Sequence, residues 1–348
     1  MGVRINGMSH NMNDLSGREA HRDTERRQRM SQESLQWLNE NVITGYGVKP
    51  WHYREGISRE PFDGPIPESV LASFFPVIAE RAEQWVDAHG NTRGDHERKR
   101  LVRQDAEESL AVVGAGYIPH QYRDTLCGLG LPYASAGMLR KGALAWVQCG
   151  DGDTVTTKDN VRFSSKLLVA TSCDGSYATQ FRRVTTLVVC DNTLAQATLQ
   201  NEGTVTKIRH TSNSLARIDI ARREYGLLDA GSEAVASGIT GLIQVEITDA
   251  QIDKFLTDLL EPKHDEGRKT PKTVTAKRDA IEHWLDGAWS DYRNTAFGVL
   301  QSVDAASRWD YATSKQTPAE RTAQYTLLGR FDTQYARNKD RLLEIADI

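Results

Sequence analysis

The chain has 348 residues, is 39% hydrophobic and 26% charged, and carries a formal net charge of −4. That length supports one large or two ordinary domains with a sizeable core, and the mild charge excludes a global basic field while leaving room for a local patch. No apolar run approaches the ~18 residues of a membrane span, and the opening MGVRINGMSHNMNDLSGREAHRD lacks a signal-peptide core, so a cytoplasmic location is expected, the host's if the chain is phage-encoded.

Residues 1–33 are polar and dense in alternating charge, which reads as a flexible arm. Leu35, Leu38 and Val42 then recur at helical spacing. The segment GYGVKPWHYREG follows, with Gly45, Gly47 and Gly56 marking turns and Pro50 forcing Lys49 to be extended. From Pro65 to Ala88 the spacing of Val70, Leu71, Phe74, Phe75 and Ile78 predicts a helix, kinked or restarted at Pro76. HGNTRGDHERKR reads as a charged loop, Leu110 to Val113 as a strand, and a short helix begins near His120.

Residues 133–191 form the β heart. YASAGMLRKGALAWVQCG gives two extended runs broken at Lys141-Gly142, and DGDTVTTKDN is turn material. VRFSSKLLVATS and YATQFRRVTTLVVC complete an antiparallel meander around a CDGS turn. Val161, Phe163, Ser165, Leu167 and Val169 alternate against Arg162, Ser164 and Lys166, which predicts a polar and partly basic second face. The stretch VTTLVVCDNTLAQA, Val184 to Ala197, is the centre of this pattern. It predicts a buried strand turning at Asp191-Asn192-Thr193 into a helix through Leu194, Ala195 and Ala197.

EGTVTKIRHTSN is a further short strand, expected beside the central strand or at the sheet edge. It has Lys207 and Arg209 on one face and Ile208 and His210 on the other. Beyond Leu215 the periodicity is mainly helical, with Asp249 as a cap for DAQIDKFLTDLL and a charged loop at EPKHDEGRKTPKTVT. A helical segment over 276–309 is crossed by Gly287 and Gly298, and the tail is amphipathic. The reading is α+β: an antiparallel meander packed against helices, with a mainly helical C-terminal half. Its divisions are the arm 1–33, a core domain 34–262, a mobile loop 263–275 and a helical segment 276–348 packing on the core.

Motif chemistry is sparse. The four cysteines, Cys127, Cys149, Cys173 and Cys190, form no C-x-x-C pair and read as buried thiols in a reducing compartment. None of the nine histidines sits in H-E-x-x-H, and Walker A and G-x-G-x-x-G are incomplete, so no metal and no cofactor is expected. Asp174-Gly175-Ser176 reads as a hairpin turn, since no G-x-S-x-G surrounds Ser176. Arg182 and Arg183 alternate across their strand, one suited to phosphate and one to a carboxylate.

Six blocks carry a resemblance: Pro50-Trp51-His52, Val113 to Tyr117, Cys173-Asp174-Gly175-Ser176, Val188 to Leu194, Arg209-His210-Thr211 and Asn294 to Gly298. In order and rough spacing they are similar to the phage/plasmid-like protein family, a domain-of-unknown-function family of phages, prophages and plasmids. Cys173 stands where that family has a turn histidine, Asp191 where it has Asn or Gln, and Asn294 where it has Gly. The resemblance implies mobile-element DNA metabolism, in outline similar to single-strand annealing proteins of recombination.

Together with the basic face, it leads us to expect nucleic-acid binding, to single-stranded DNA, through Arg162, Lys166, Arg183, Lys207 and Arg209, without covalent chemistry. Asp174, Gly175, Cys190, Asn192, Thr193 and His210 are assigned to the turn and core, with His210 ordering the Asp191 turn. Homo-oligomerisation is left open and no membrane partner is expected. The alternative is a host-takeover or defence-related protein-interaction role, suggested by Trp284, Trp289 and Trp309 if exposed. An enzyme would need His52, Asp174, Cys190 and His210 to converge.

Overall fold

The structure is a computed structural model describing residues 33, 35–47, 59–150, 155–187, 193–195, 205–211, 214–225, 232–260, 271–311, 317–327 and 330–348. Its first half contains α1 (35–41), β1 (Val42–Thr44), α2 (Glu68–Phe74), β2 (Ile78–Val86), β3 (Thr92–Arg103), β4 (Glu108–Gly114) and α3 (Tyr122–Leu126). The meander follows as β5 (Tyr133–Leu139), β6 (Leu144–Cys149), β7 (Val155–Thr156), β8 (Arg162–Ser172), β9 (Thr179–Leu187), β10 (Thr193–Ala195) and β11 (Val205–Ile208). Helices close the chain: α4 (Ser214–Tyr225), α5 (Ser232–Ile243), α6 (Asp249–Leu260), α7 (Pro271–Asp286), α8 (Ala296–Trp309), α9 (Pro318–Leu327) and α10 (Arg330–Ile345). The class is α+β, with the antiparallel meander and the helical second half that the periodicity predicts.

The main sheet runs β1-β5-β6-β8-β9-β10, with β7 beside β8 and β11 beside β9. Directly paired residues share a face, so register assigns the packing. Ala145, Val147, Leu167, Val169, Phe181 and Ile208 bury one face against α2, α3, α4 and β3. Val161 and Phe163 extend that face under the C-terminal helices. The opposite face is also closed: Leu144, Trp146, Leu168, Ala170 and Val184 pack with Leu38 of α1 and with Ala319, Ala323 and Leu327 of α9. The expected polar face is therefore a second packed layer. Arg162, Ser164 and Lys166 alternate as predicted, but Leu168 and Ala170 continue the same face as apolar residues, and Ser164 is itself buried. Gly137 is required here, because a Cβ on it would lie 2.6 Å from the Trp146 ring.

Arg182 is drawn into this layer and donates to the Thr326 carbonyl of α9 at 3.3 Å. It is 7% exposed, so it is not open to a phosphate. Asp304 and Arg308 form a buried ion pair at 2.6 Å inside α8, with the Arg308 guanidinium 4.1 Å over the Phe331 ring.

Several local expectations are corrected. The helix foreseen to Ala88 stops at Phe74, ahead of Pro76, which offers no N–H to continue it. Ile78 to Val86 is instead a strand, hairpinned onto the supposed charged loop, which is β3. The hairpin closes where the Asp87 carboxylate accepts from the His89 and Asn91 N–H groups, both at 2.9 Å, and Gly90 adopts φ 82°. Strands β2-β3-β4 make a second, three-stranded sheet. Thr193, Leu194 and Ala195 do not begin a helix; they pair antiparallel with Thr186, Thr185 and Val184. Pairing with β9 overrides the local capping signal there. Residues Val188 to Asn192 lie outside the described residues.

In α6 the cap is Thr248, not Asp249. Its hydroxyl accepts from the Gln251 N–H at 3.3 Å while Gln251 Oε1 accepts from the Thr248 N–H at 2.9 Å, a reciprocal capping box. The helical segment over 276–309 is two helices, broken between Asp286 and Ala296. No helix among the described residues is long and apolar enough to cross a membrane.

Candidate functional site

Four chain segments meet where the meander turns. The β5–β6 turn holds Arg140, Lys141 and Gly142 at φ 52°, 59° and 94°, three successive left-handed residues. For the two non-glycines that conformation costs about 1 kcal/mol each. The turn is offset by side chains. Arg140 donates to Asp174 Oδ2 at 3.1 Å and to Ser176 Oγ at 2.7 Å in the β8–β9 turn. Tyr122 donates to the Gly142 carbonyl at 2.6 Å and Arg103 to the Lys141 carbonyl at 3.1 Å. Burial pushes the Asp174 carboxyl up, but hydrogen bonds from Ser176 and Arg140 outweigh it and hold the group below its usual range.

Behind the turn lies a buried polar knot. His120, fully buried, places Nδ1 2.6 Å from Thr179 Oγ1 and Nε2 2.6 Å from Ser214 Oγ. Ser214 donates to the Thr211 carbonyl at 2.6 Å, so its proton is spoken for and His120 Nε2–H must donate to it. Nδ1 of the neutral ring is then an acceptor for Thr179, which receives from Thr171 at 2.7 Å. Burial lowers the His120 pKa to about 4, with the neighbouring His210 adding to the shift, which keeps the ring neutral. His210 lies flat on it at 3.8 Å between centroids and on Tyr117 at 4.9 Å on the other side. Its Nδ1 donates to the Ile118 carbonyl at 3.1 Å, while Nε2 is buried without a hydrogen-bond partner. Burial lowers the His210 pKa too, against the pull of the Ile118 and Tyr177 carbonyls and of Asp174. A ring that already donates to Ser214 is no general base towards it; the knot positions the turn. Cys173, beside it, is pushed up to about 12 by burial and stays a thiol.

Residues 109–325 match the family described as a domain of unknown function, DUF932, more than half of the chain. The chain belongs to the DUF932 family. No curated protein and no solved structure matches it. Within the DUF932 region the quoted blocks now have physical roles. Tyr117 is the outer ring of the stack, Asp174 and Gly175 form the turn that Arg140 grips, and His210 is the middle ring. Thr295 caps α8 by accepting from the Gly298 N–H at 3.1 Å, and a Cβ on Gly298 would lie 2.0 Å from the Tyr292 carbonyl oxygen. Trp51, His52, Cys190 and Asn192 lie outside the described residues, as does the side chain of Thr193.

The five cations named from the sequence do not form one strip. Lys207 pairs in register with Gln180 and Phe163 with Leu187, so Arg162 sits roughly 26 Å along the strands from Lys207. Arg162 is exposed, and Lys166 is half-buried in the layer with Val184. Arg183 lies opposite Leu167, with its side chain outside the described residues. Lys207 and Arg209 are both exposed, while Ile208 is buried and His210 half-buried. The alternation foreseen for this strand therefore holds in burial. His210, however, meets Ile118 and His120 rather than any described part of the Asp191 turn.

The four-residue enzyme cluster has no geometry among the described residues. Asp174 is held by Arg140 and Ser176, and His210 by the Ile118 carbonyl. No group of three or more His, Cys, Asp or Glu among them could hold a metal ion. The tryptophans offered as an exposed surface are not one: Trp289 is buried, and Trp284 and Trp309 are half-buried, with Trp284 Nε1 donating to Asp310 at 2.6 Å. His120, Thr179, Ser214 and Arg140 escaped the sequence reading. They come from segments dozens of residues apart, and no local spacing marks them.

Proposed function

We propose that this protein binds nucleic acid, single-stranded DNA in the first instance, through the β11 edge, as part of the mobile-element DNA metabolism that its phage/plasmid-like motifs imply. One observation carries the reading. Lys207 on β11 and Arg209, the first residue past its end at Ile208, are both exposed, and neither has a carboxylate partner among the described residues. β11 has β9 as its strand neighbour, with no second strand beside it among the described residues. Arg217 of α4, the helix that packs on β11, is exposed as well. Unpaired cations on a sheet margin suit phosphate oxygens, which fix position without reading sequence.

The test is fluorescence anisotropy with labelled single-stranded oligonucleotides over a salt series. The native chain should bind at low salt. Lys207→Ala/Arg209→Ala should weaken binding and reduce the salt slope by about 1.4, the loss of two phosphate contacts. Absence of binding at micromolar protein in low salt would overturn the proposal.

A further inference from the structure

The three-stranded sheet ends on an open edge at β2. Its first residue is covered there, among the described residues, by a side chain: Gln121 Oε1 accepts from the Ile78 N–H at 3.1 Å and Gln121 Nε2 donates to the Ile78 carbonyl at 2.8 Å, as a neighbouring strand would. That clamp shows which way the backbone faces. Ile78 directs both polar groups outward, so by alternation Glu80 and Ala82 do the same. No strand lies along that edge among the described residues, and Arg81, Ala82, Gln84, Trp85 and Val86 are exposed, the last two at 50% and 65%.

We propose that this edge pairs with the β2 edge of a second copy of the chain, antiparallel, about a two-fold axis at Ala82. Ala82 is the midpoint of Ile78–Val86, so this register pairs the strand from Ala79 to Trp85 and leaves Ile78 in its Gln121 clamp. It sets Arg81 opposite Glu83 of the other copy, twice, and covers Trp85 with Ala79. Directly opposed residues share a face, so each pair is in reach. Glu83 already receives Arg100 at 2.8 and 2.9 Å, and a carboxylate has acceptor sites left for a second guanidinium. A register centred on Glu80 would oppose Glu80 to itself, and one centred on Gln84 would pair barely half the strand. Charged edges ordinarily discourage pairing; here the signs alternate so that the two-fold turns them into complements. The result is an isologous dimer with a continuous six-stranded sheet.

The full chain should sediment as a concentration-dependent dimer across the micromolar range. In an Ala82→Cys variant the two-fold brings the Cα atoms to about 5.5 Å, within disulfide reach, so oxidation should give a covalent dimer. Glu80→Cys places its copies about 13 Å apart and should not cross-link. Ala82→Pro, at an outward N–H that an edge strand can spare, should raise the dissociation constant at least tenfold with an unchanged circular dichroism spectrum. A chain that is monomeric at every concentration, equal cross-linking of the two cysteine variants, or a dimer indifferent to Ala82→Pro would each overturn the proposal.

Discussion

β11 separates two regions with opposite electrostatic logic. On its inner side Ile208 and His210 join the knot around His120, where every hydroxyl and nearly every ring nitrogen is assigned a partner. On its outer side Lys207, with Arg209 just past the strand's end, faces solvent with no described counter-charge. The difference follows from desolvation. A buried polar group without a partner costs a few kcal/mol, so the knot must be nearly complete to exist at all, whereas a hydrated cation costs nothing by standing alone. Stability should therefore be concentrated on the inner side and ligand affinity on the outer.

The sharpest break is His120→Ala. It opens a cavity, strands the Thr179 hydroxyl proton and removes the donor to Ser214, so chemical denaturation should show a loss of about 3–4 kcal/mol. A loss under about 1 kcal/mol would mean that the knot is not what anchors this end of the sheet.

Acid titration comes next. The folded pKa of His120 is about 4 against 6.5 for the free side chain, so between these values the unfolded chain binds more protons. Stability contributed by the neutral ring is complete above about pH 6.5 and is lost as the pH falls towards 4, with His210 shifted in the same direction. The full shift corresponds to about 3 kcal/mol at most. His120→Gln should flatten stability over that window; an unchanged pH profile would assign the acid sensitivity to other groups.

His210→Ala removes one hydrogen bond and a stacked ring and should cost less, about 1–2 kcal/mol by the same denaturation measurement. The smallest effect belongs to the outer side. Lys207→Ala/Arg209→Ala should move stability by no more than about 0.5 kcal/mol. If that double variant instead unfolds readily, the contrast between the two sides of β11 disappears, whatever its effect on binding.

The meander was legible because its strands obey period-two alternation and its turns carry glycine: Tyr133 to Leu139, Leu144 to Cys149, Arg162 to Ser172 and Thr179 to Leu187 all fall where that pattern predicts strands. The β2–β3 hairpin was not. Ile78 and Ala79 continue a helical spacing from Val70, and the charges of β3 look like a loop, because both strands are exposed over most of their length and show no buried face to alternate. The supposed polar sheet face failed for a related reason. A strand reports that alternate residues differ, but not what covers each side, and here α1 and α9 arrive from opposite ends of the chain.

What the sequence by itself determined is the α+β class, the antiparallel meander and the inward and outward sides of β11. These depend on residues within a few positions of one another, where backbone geometry leaves few choices. Only the tertiary structure decided that His120, Thr179, Ser214 and His210 form one hydrogen-bonded and stacked knot, that Arg140 grips Asp174, and that Thr193 to Ala195 pair as a strand. The knot and the Arg140 grip join segments far apart in the chain, and such contacts form only after the sheet and helices have brought them within hydrogen-bonding range, while the Thr193 to Ala195 pairing with the nearby Val184 to Thr186 overrides a local helix-cap signal.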